Sequence, residues 1–304
     1  ANATRQKSLG NSCCIHGIIE FSNYCRQNCL YCGIRKDNSN LTRYRMGEEE
    51  IIQRAVYAIK ELKFKALVLQ SGEDLWYDEE RLFNIVFGIM RESPALLVLS
   101  LGERDIALYR RLYQAGSRGV LMRFETSNPA LYEKYRPGHK LEERLKLING
   151  LREIGYLVIT GFLTGLPGET EADTFNDIEL TNSLDPEMFS FGPFIPHPGT
   201  PLKDAVSPSL ESVLNTIART RIRHPQSRIL ATTALETLDK ENGAKAAFMA
   251  GANSLMINLT PEKYSDLYEI YPDRAGSDED VRKRIEDILN LLVSIGRAPT
   301  DLGM

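Results

Sequence analysis

No stretch of the 304 residues approaches the ~20 consecutive apolar positions that a bilayer-spanning helix needs, so no membrane association is expected. The polar start, Ala1 to Gly10, lacks the apolar core of a secretory signal, and the expected location is the cytoplasm. A basic excess is missing too: 37 Lys and Arg stand against 41 Asp and Glu, a net charge of −4. Nucleic-acid binding usually needs a basic face, so no such partner is expected. Low-complexity tracts and linkers are absent, and a chain that is 42% hydrophobic can build a substantial core. Most informative, no cysteine occurs beyond residue 32. All five, Cys13, Cys14, Cys25, Cys29 and Cys32, crowd the start. An odd, clustered set is a poor disulfide framework, whose bridges spread across a fold; clustered cysteines more often bind metal.

What the chain does have is alternation. Short apolar runs rich in Val, Ile, Leu and Phe lie at 14–20, 65–70, 96–101, 120–125, 157–163, 188–193, 228–233 and 254–258, as strands buried on both faces should. Apolar spacing of helical type fills most gaps, at 48–62, 105–115, 141–154, 170–184, 209–222, 240–250 and 278–295. Gly116, Gly155 and Gly251 follow three of these helices as expected C-terminal caps. Eight such units favour a complete (β/α)8 TIM-type barrel over a doubly wound open sheet. The expectation is one barrel domain over 1–304, with a closing helix near 278–296. In a barrel the chemistry sits on the loops after the strands, and polar clusters fall there: 70–74, 100–103, 123–128 and 232–233.

The strongest signal is Cys25-Arg-Gln-Asn-Cys29-Leu-Tyr-Cys32, a C-x3-C-x2-C loop after the first strand. Thiolates suit zinc or iron–sulfur clusters. Structural zinc takes four closed ligands, usually as two separated pairs, whereas here three lie in one tight loop and the histidines are remote. Three thiolates on a four-iron cluster leave one iron open for a small molecule. That spacing is the signature of the radical S-adenosylmethionine (SAM) superfamily, and Tyr31 matches its usual aromatic. Cys13 and Cys14 are adjacent on a strand and point to opposite sides, which fits small buried apolar side chains better than a second metal site.

Other segments resemble the same superfamily. Gln70-Ser71-Gly72-Glu73-Asp74 resembles its Gly-Gly-Glu motif, which meets the SAM amino group, with Ser71 in place of the first glycine. Arg123 and Glu125, spaced by two, are expected to share the interior face of the fourth strand, as SAM ligands or as a structural ion pair. The turn Gly161-Phe-Leu-Thr-Gly165-Leu-Pro-Gly168-Glu169 matches an adenine-side motif.

Taken with Gly17-Ile-Ile-Glu20, Arg43-Tyr-Arg45, Ser100-Leu-Gly-Glu103, Gly192-Pro-Phe-Ile-Pro-His197-Pro-Gly-Thr-Pro201, Ala231-Thr232-Thr233-Ala and Gly251-Ala-Asn253, the chain resembles the HydE maturases of iron–iron hydrogenase. These belong to the biotin synthase and methylornithine synthase group, and the resemblance runs from about residue 14 to 298. It implies an internal cavity with one 4Fe–4S cluster on Cys25, Cys29 and Cys32 and with SAM above it. Tyr31, Gln70, Ser71, Gly72, Glu73, Ser100, Arg123, Glu125, Arg144 and Gly165 would attend SAM. His16, Thr232, Thr233, Met256, Tyr268 and Tyr271 would face a deeper substrate cavity. The implied reaction is reductive cleavage of SAM to a 5′-deoxyadenosyl radical acting on a small precursor of the diiron centre. Its implied partners are an electron donor and other hydrogenase maturation proteins.

Three departures bear on the substrate. No cysteine lies in 272–284, so a second cluster, and sulfur insertion from one, is not expected. His16 stands where the maturases carry Arg; segment 236–242 lacks a Gly-rich stretch; Ile257 and Leu259 replace Pro and Trp. A maturase-like paralogue is therefore an open reading, with His16 at the cavity floor holding a neutral or pH-dependent ligand. Two alternatives stand beside it: a mutase resembling methylornithine synthase, and a non-enzymatic iron–sulfur or zinc carrier.

Overall fold

Strands that are apolar on both faces must be covered on both, and the chain solves this by closing its sheet on itself. A computed structural model, which describes residues 1–276 and 279–303, contains eight parallel barrel strands. They are β1 (Ser12–Ser22), β2 (Ala66–Ser71), β3 (Leu96–Ser100), β4 (Gly119–Leu121), β5 (Leu157–Thr160), β6 (Met188–Phe189), β7 (Arg228–Ala231) and β8 (Ser254–Asn258). Each pairs with the next, and β8 closes on β1 with Cys14 opposite Ser254 and His16 opposite Met256. Helices follow the strands in order: α1 (Glu48–Lys60), α2 (Glu79–Glu92), α3 (Ile106–Ala115), α4 (Leu141–Ile154), α5 (Glu171–Ser183), α6 (Leu210–Arg223), α7 (Gly243–Ala250) and α8 (Val281–Ser294). No helix among the described residues is long and apolar enough to cross a membrane.

Strand alternation divides the core in two. Cys13, Ile15, Ile19 and Phe21 of β1 join the outer layer under the helices. Cys14 faces inward with Val68, Val98, Ile159, Met188, Leu230 and Met256, which fill the lower half of the barrel. The space left above this apolar plug is where a site can form. A last segment, Ala298–Pro299, pairs with β1 at Ser12 and Cys13 and carries Asp301 to within 3.3 Å of His16 beneath the plug.

Gly116, Gly155 and Gly251 all adopt positive φ after their helices, as expected of caps. Several strands are shorter than their apolar runs. The run at 120–125 leaves the ladder after Leu121, and Glu125 turns at φ 70°. The run at 157–163 stops at Thr160 because Gly161 (φ 156°) lies against Ser190; a Cβ there would sit 2.3 Å from the Ser190 carbonyl oxygen. The 188–193 run breaks likewise, and Leu163–Thr164 pairs with Gly192–Pro193 apart from the barrel ladder. The helix expected at 240–250 begins at Gly243, after a separate turn of helix at Thr233–Leu238. Helix α2 and the helices Asn2–Leu9 and Pro129–Tyr135 were not among the expected elements. The expected start of the closing helix, Asp278, lies outside the described residues; α8 is described from Val281.

Candidate active site

The loop that carries Cys25, Cys29 and Cys32 has almost no regular structure, so side chains hold it. Arg43 donates to the carbonyls of Ile34 (2.8 Å), Arg35 (2.7 Å) and Asn38 (3.2 Å), cross-tying the loop from inside. Gly33 donates to the Ile270 carbonyl at 2.8 Å, and a Cβ on it would lie 2.1 Å from the Glu269 oxygen. The ring of His197, from the Gly192–Pro201 segment, packs on the same glycine. Gly72 makes the second close approach: its Cβ would lie 2.2 Å from the Tyr24 oxygen, so the turn after β2 can press against the loop.

Glu73 ties that turn together. Its carboxylate accepts from Gln27 (2.6 Å) and Arg26 (3.2 Å) of the cysteine loop and from the Glu103 N–H (2.9 Å) after β3. Its own N–H points at the Cys25 sulfur at 3.4 Å. Asp74 takes a bidentate pair of bonds from Arg45, 2.6 and 2.9 Å. Farther round the rim, Glu103 lies 3.1 Å from Arg136 and 3.2 Å from Arg144. Burial alone would raise the Glu103 carboxyl, but Arg144, Arg136 and His139 outweigh it and hold the group below the usual range.

These elements enclose a cavity of ≈ 300 Å³ at the C-terminal ends of the strands, within the range of small-molecule sites. Cys25, Cys29, Cys32 and Tyr31 line its upper part with Gln70, Ser71, Gly72, Glu73 and Ser100. Arg123, Glu125 and Arg144 line one side. Thr232, Thr233, Met256, Tyr268 and Tyr271 line another. Two expected positions do not belong. Gly165 is not part of the lining; its N–H donates to the Glu169 carboxylate, and a Cβ there would press on Pro208. His16 is also not part of this lining; it lies toward the floor, its Nε2 3.3 Å from an Asp301 carboxylate oxygen. Of the two readings of Arg123 and Glu125, the structural ion pair is not formed among the described residues; Arg123 bonds to Ser190 Oγ at 3.3 Å. Both side chains still reach the cavity, because the chain bends after Leu121.

Sequence reading missed the most buried ion pair of the wall. Glu20, fully buried, accepts from Arg274 (3.0 and 2.5 Å) and from Asn258 (3.2 Å). Inward parity with Cys14 on β1 was the available signal for Glu20; Arg274 carried none.

The three thiols are free and buried enough that each is pushed up from its ordinary pKa by desolvation, Cys25 to about 11. Three adjacent buried thiolates therefore need a cationic partner. A single tetrahedral zinc, with Zn–S near 2.3 Å, would draw sulfurs to about 3.8 Å of one another. Among the described residues these three sulfurs are not all within 4.8 Å of each other, which fits separate corners of a larger iron–sulfur cluster instead. Among the described residues no other Cys or His lines the cavity, so a fourth corner stays open to a ligand.

Comparison with known proteins decides the family. Residues 19–181 match the radical SAM superfamily, and residues 190–290 match the biotin and thiamin synthesis associated domain. The chain belongs to the radical SAM superfamily. It is 41% identical over 299 residues to the FeFe hydrogenase maturase subunit HydE of Thermotoga maritima, covering 98% of this chain and 85% of that one. It is 31% identical to 3-methylornithine synthase of Methanosarcina acetivorans, over 96% of this chain and 81% of that one. Among solved structures, methylornithine synthase (PylB) superposes with a TM-score of 0.83 at 27% identity, covering 98% and 87%. The protein is thus a radical SAM enzyme acting on a small molecule, and its cofactors are a 4Fe–4S cluster and SAM. The carrier reading is set aside.

Proposed function

We propose that this enzyme matures the diiron centre of an iron–iron hydrogenase, as a HydE-type protein. The observation that carries the proposal is the 41% identity to HydE, sustained over 98% of the chain. Cys25, Cys29 and Cys32 would hold the cluster. When bound, the cluster supplies an electron that splits a carbon–sulfur bond of SAM, giving methionine and a 5′-deoxyadenosyl radical.

The chain's own part is to bind, orient and exclude. Ser71, Gly72 and Glu73 offer backbone to the methionine end of SAM, with Gln70, Ser100 and Tyr31 beside them. Arg123, Glu125 and Arg144 supply charge of both signs for its carboxylate, amino group and ribose. Thr232 and Thr233 present hydroxyls, and Met256, Tyr268 and Tyr271 an apolar and aromatic wall, to a small substrate. A closed barrel keeps water and stray hydrogen donors from a primary carbon radical. We also propose that residues 1–304 act as one unit, since β8, from the second matched region, closes on β1. The reduced thiols and the need for an electron donor fit a cytoplasmic enzyme working with other maturation proteins.

The anaerobically reconstituted protein should carry about four irons per chain and turn SAM into 5′-deoxyadenosine and methionine under dithionite. Added to a hydrogenase maturation mixture that lacks HydE, it should restore hydrogenase activity. SAM cleavage without that restoration, but with isomerisation of an amino acid, would transfer the assignment to a mutase like methylornithine synthase.

A further inference from the structure

Beneath the apolar plug, at the opposite end of the barrel from the cysteine loop, a second set of metal-ligating side chains converges. The Cys14 sulfur, a His16 ring nitrogen and an Asp301 carboxylate oxygen all lie within 4.8 Å of one another. Cys14 and His16 are spaced by two on β1, so both face inward, and both are more than nine-tenths buried. Asp301 arrives from a distant part of the chain, held there because Ala298–Pro299 pairs with β1 and because Lys65 donates to the Asp301 carbonyl at 2.8 Å. The Thr300 hydroxyl is 3.7 Å from the Cys14 sulfur and 3.3 Å from the Asp301 carboxylate.

We propose that Cys14, His16 and Asp301 form a binding site for a divalent transition metal of the zinc class, which fastens segment 298–303 to the barrel floor. One thiolate, one imidazole and one carboxylate make a donor set suited to Zn²⁺, with water or the Thr300 hydroxyl available for the fourth position. Hydrogen bonding leaves the His16 ring half used: Nε2 lies 3.3 Å from an Asp301 oxygen, while Nδ1 is buried with no partner, so one ring nitrogen is left for a metal. A nucleophilic Cys–His–Asp arrangement would need a pocket for substrate, and neither Cys14, His16 nor Asp301 lines the cavity above, whose near wall is the apolar set Met256, Leu230 and Ile18.

Charge is consistent with a dication. On binding, Cys14 gives up its thiol proton to solvent, His16 binds as neutral imidazole and Asp301 as carboxylate. The bound ion and its ligands are then neutral overall, which a buried site requires. Arg228, paired with Glu187, also hydrogen-bonds with the Cys14 side chain and lies close enough for its charge to reach Asp301, which favours the deprotonated ligands. The site is independent of the cluster. Eight residue steps along β1 take the chain from Cys14 to Ser22, about 26 Å at 3.3 Å per residue.

The test uses the full chain with its cluster reconstituted, incubated with zinc and desalted. Metal analysis should find about one zinc per chain beyond the cluster irons. Zinc-edge X-ray absorption should show one sulfur with nitrogen and oxygen neighbours. Cys14→Ser and Asp301→Asn should each lower zinc retention at least tenfold while leaving the iron count unchanged. Zinc should raise the melting temperature of the wild type and not of Asp301→Asn. Asp301 is partly exposed and the amide is nearly isosteric, so this variant decides the matter even if Cys14→Ser folds poorly. Equal zinc retention by wild type and Asp301→Asn, or a shell made only of sulfur, overturns the proposal; the latter would place the zinc on Cys25, Cys29 and Cys32.

Discussion

Arg274 and Glu20 show how a single buried pair can be decisive and still escape a reading of the sequence. The two lie 254 positions apart and meet only because β1 and the segment after β8 are neighbours in the closed barrel. Burial raises the Glu20 carboxyl, and Arg274 opposes that rise. In Arg274→Met the opposition is gone and the carboxyl is driven higher. A group whose folded pKa exceeds its unfolded value, about 4.3 for Glu, adds stability at low pH and loses it as pH climbs through the folded pKa. The variant should therefore lose about 3–5 kcal/mol at pH 8, where unfolding frees Glu20 to ionise in water, and clearly less at pH 5. Melting curves across that range check it; a pH-independent loss would show that packing, not charge, is at stake. Arg123 is the contrasting case. It has no carboxylate partner among the described residues and touches Ser190 only through one 3.3 Å bond. Arg123→Ala should leave the melting temperature nearly unchanged while weakening SAM about tenfold, some 1.4 kcal/mol. Titration calorimetry on the variant decides between a ligand contact and a structural one. That Cys25, Cys29 and Cys32 gather at one cavity was legible, because their spacing is local. Glu20–Arg274 was not, because no local pattern announces a pair across a barrel seam.

At the scale of elements, the alternation of strands and helices was legible wherever apolar periodicity is strong, as in α4, whose limits match the expected 141–154. It failed at the upper ends of β4, β5 and β6. There the residues stay apolar, but the backbone leaves the ladder to form the cavity wall, and periodicity cannot register a bend made by Gly161 or by Glu125 at φ 70°. The cysteine loop is the opposite: without regular structure, yet fixed by close approaches at two glycines. Gly33→Ala would put a methyl group about where the Glu269 carbonyl already stands, at 2.1 Å. The loop must then move off the segment around Ile270, carrying Cys32 with it. We expect Gly33→Ala to fold, since β1 and the helices are untouched, but to retain less than half of the cluster iron after desalting. Iron content equal to wild type would mean that the loop tolerates displacement and that Arg43 alone positions the thiols.

For the molecule as a whole, the barrel separates two tasks along its axis. The mouth, at the C-terminal strand ends, gathers polar groups from seven of the eight strand–loop junctions, and most of these were foreseen because barrel chemistry belongs there. At the floor, the resemblance and the place of His16 on the first strand put it below the SAM site, where it lies, but no local pattern announced that Asp301 would occupy the space beside it. The two ends are separated by the plug of Val68, Val98, Ile159, Met188, Leu230 and Met256, so damage to one should spare the other. Leu302 gives a direct test. It is buried, it bridges to Phe64, and its neighbours Asp301 and Gly303 bond to Lys65 and Lys63, so it anchors the floor segment far from any cluster ligand. Leu302→Ala should cost about 2–5 kcal/mol from lost burial and the cavity it leaves. At about 2–4 °C per kcal/mol for a chain near this size, the melting temperature should fall by roughly 5–15 °C. Iron per folded chain and 5′-deoxyadenosine formation at 25 °C should stay at wild-type levels, because the mouth is held by Arg43, Gly33 and Glu73 and not by the floor. A parallel loss of iron and of melting temperature would show instead that the plug transmits strain along the barrel, and that floor and mouth are one cooperative unit.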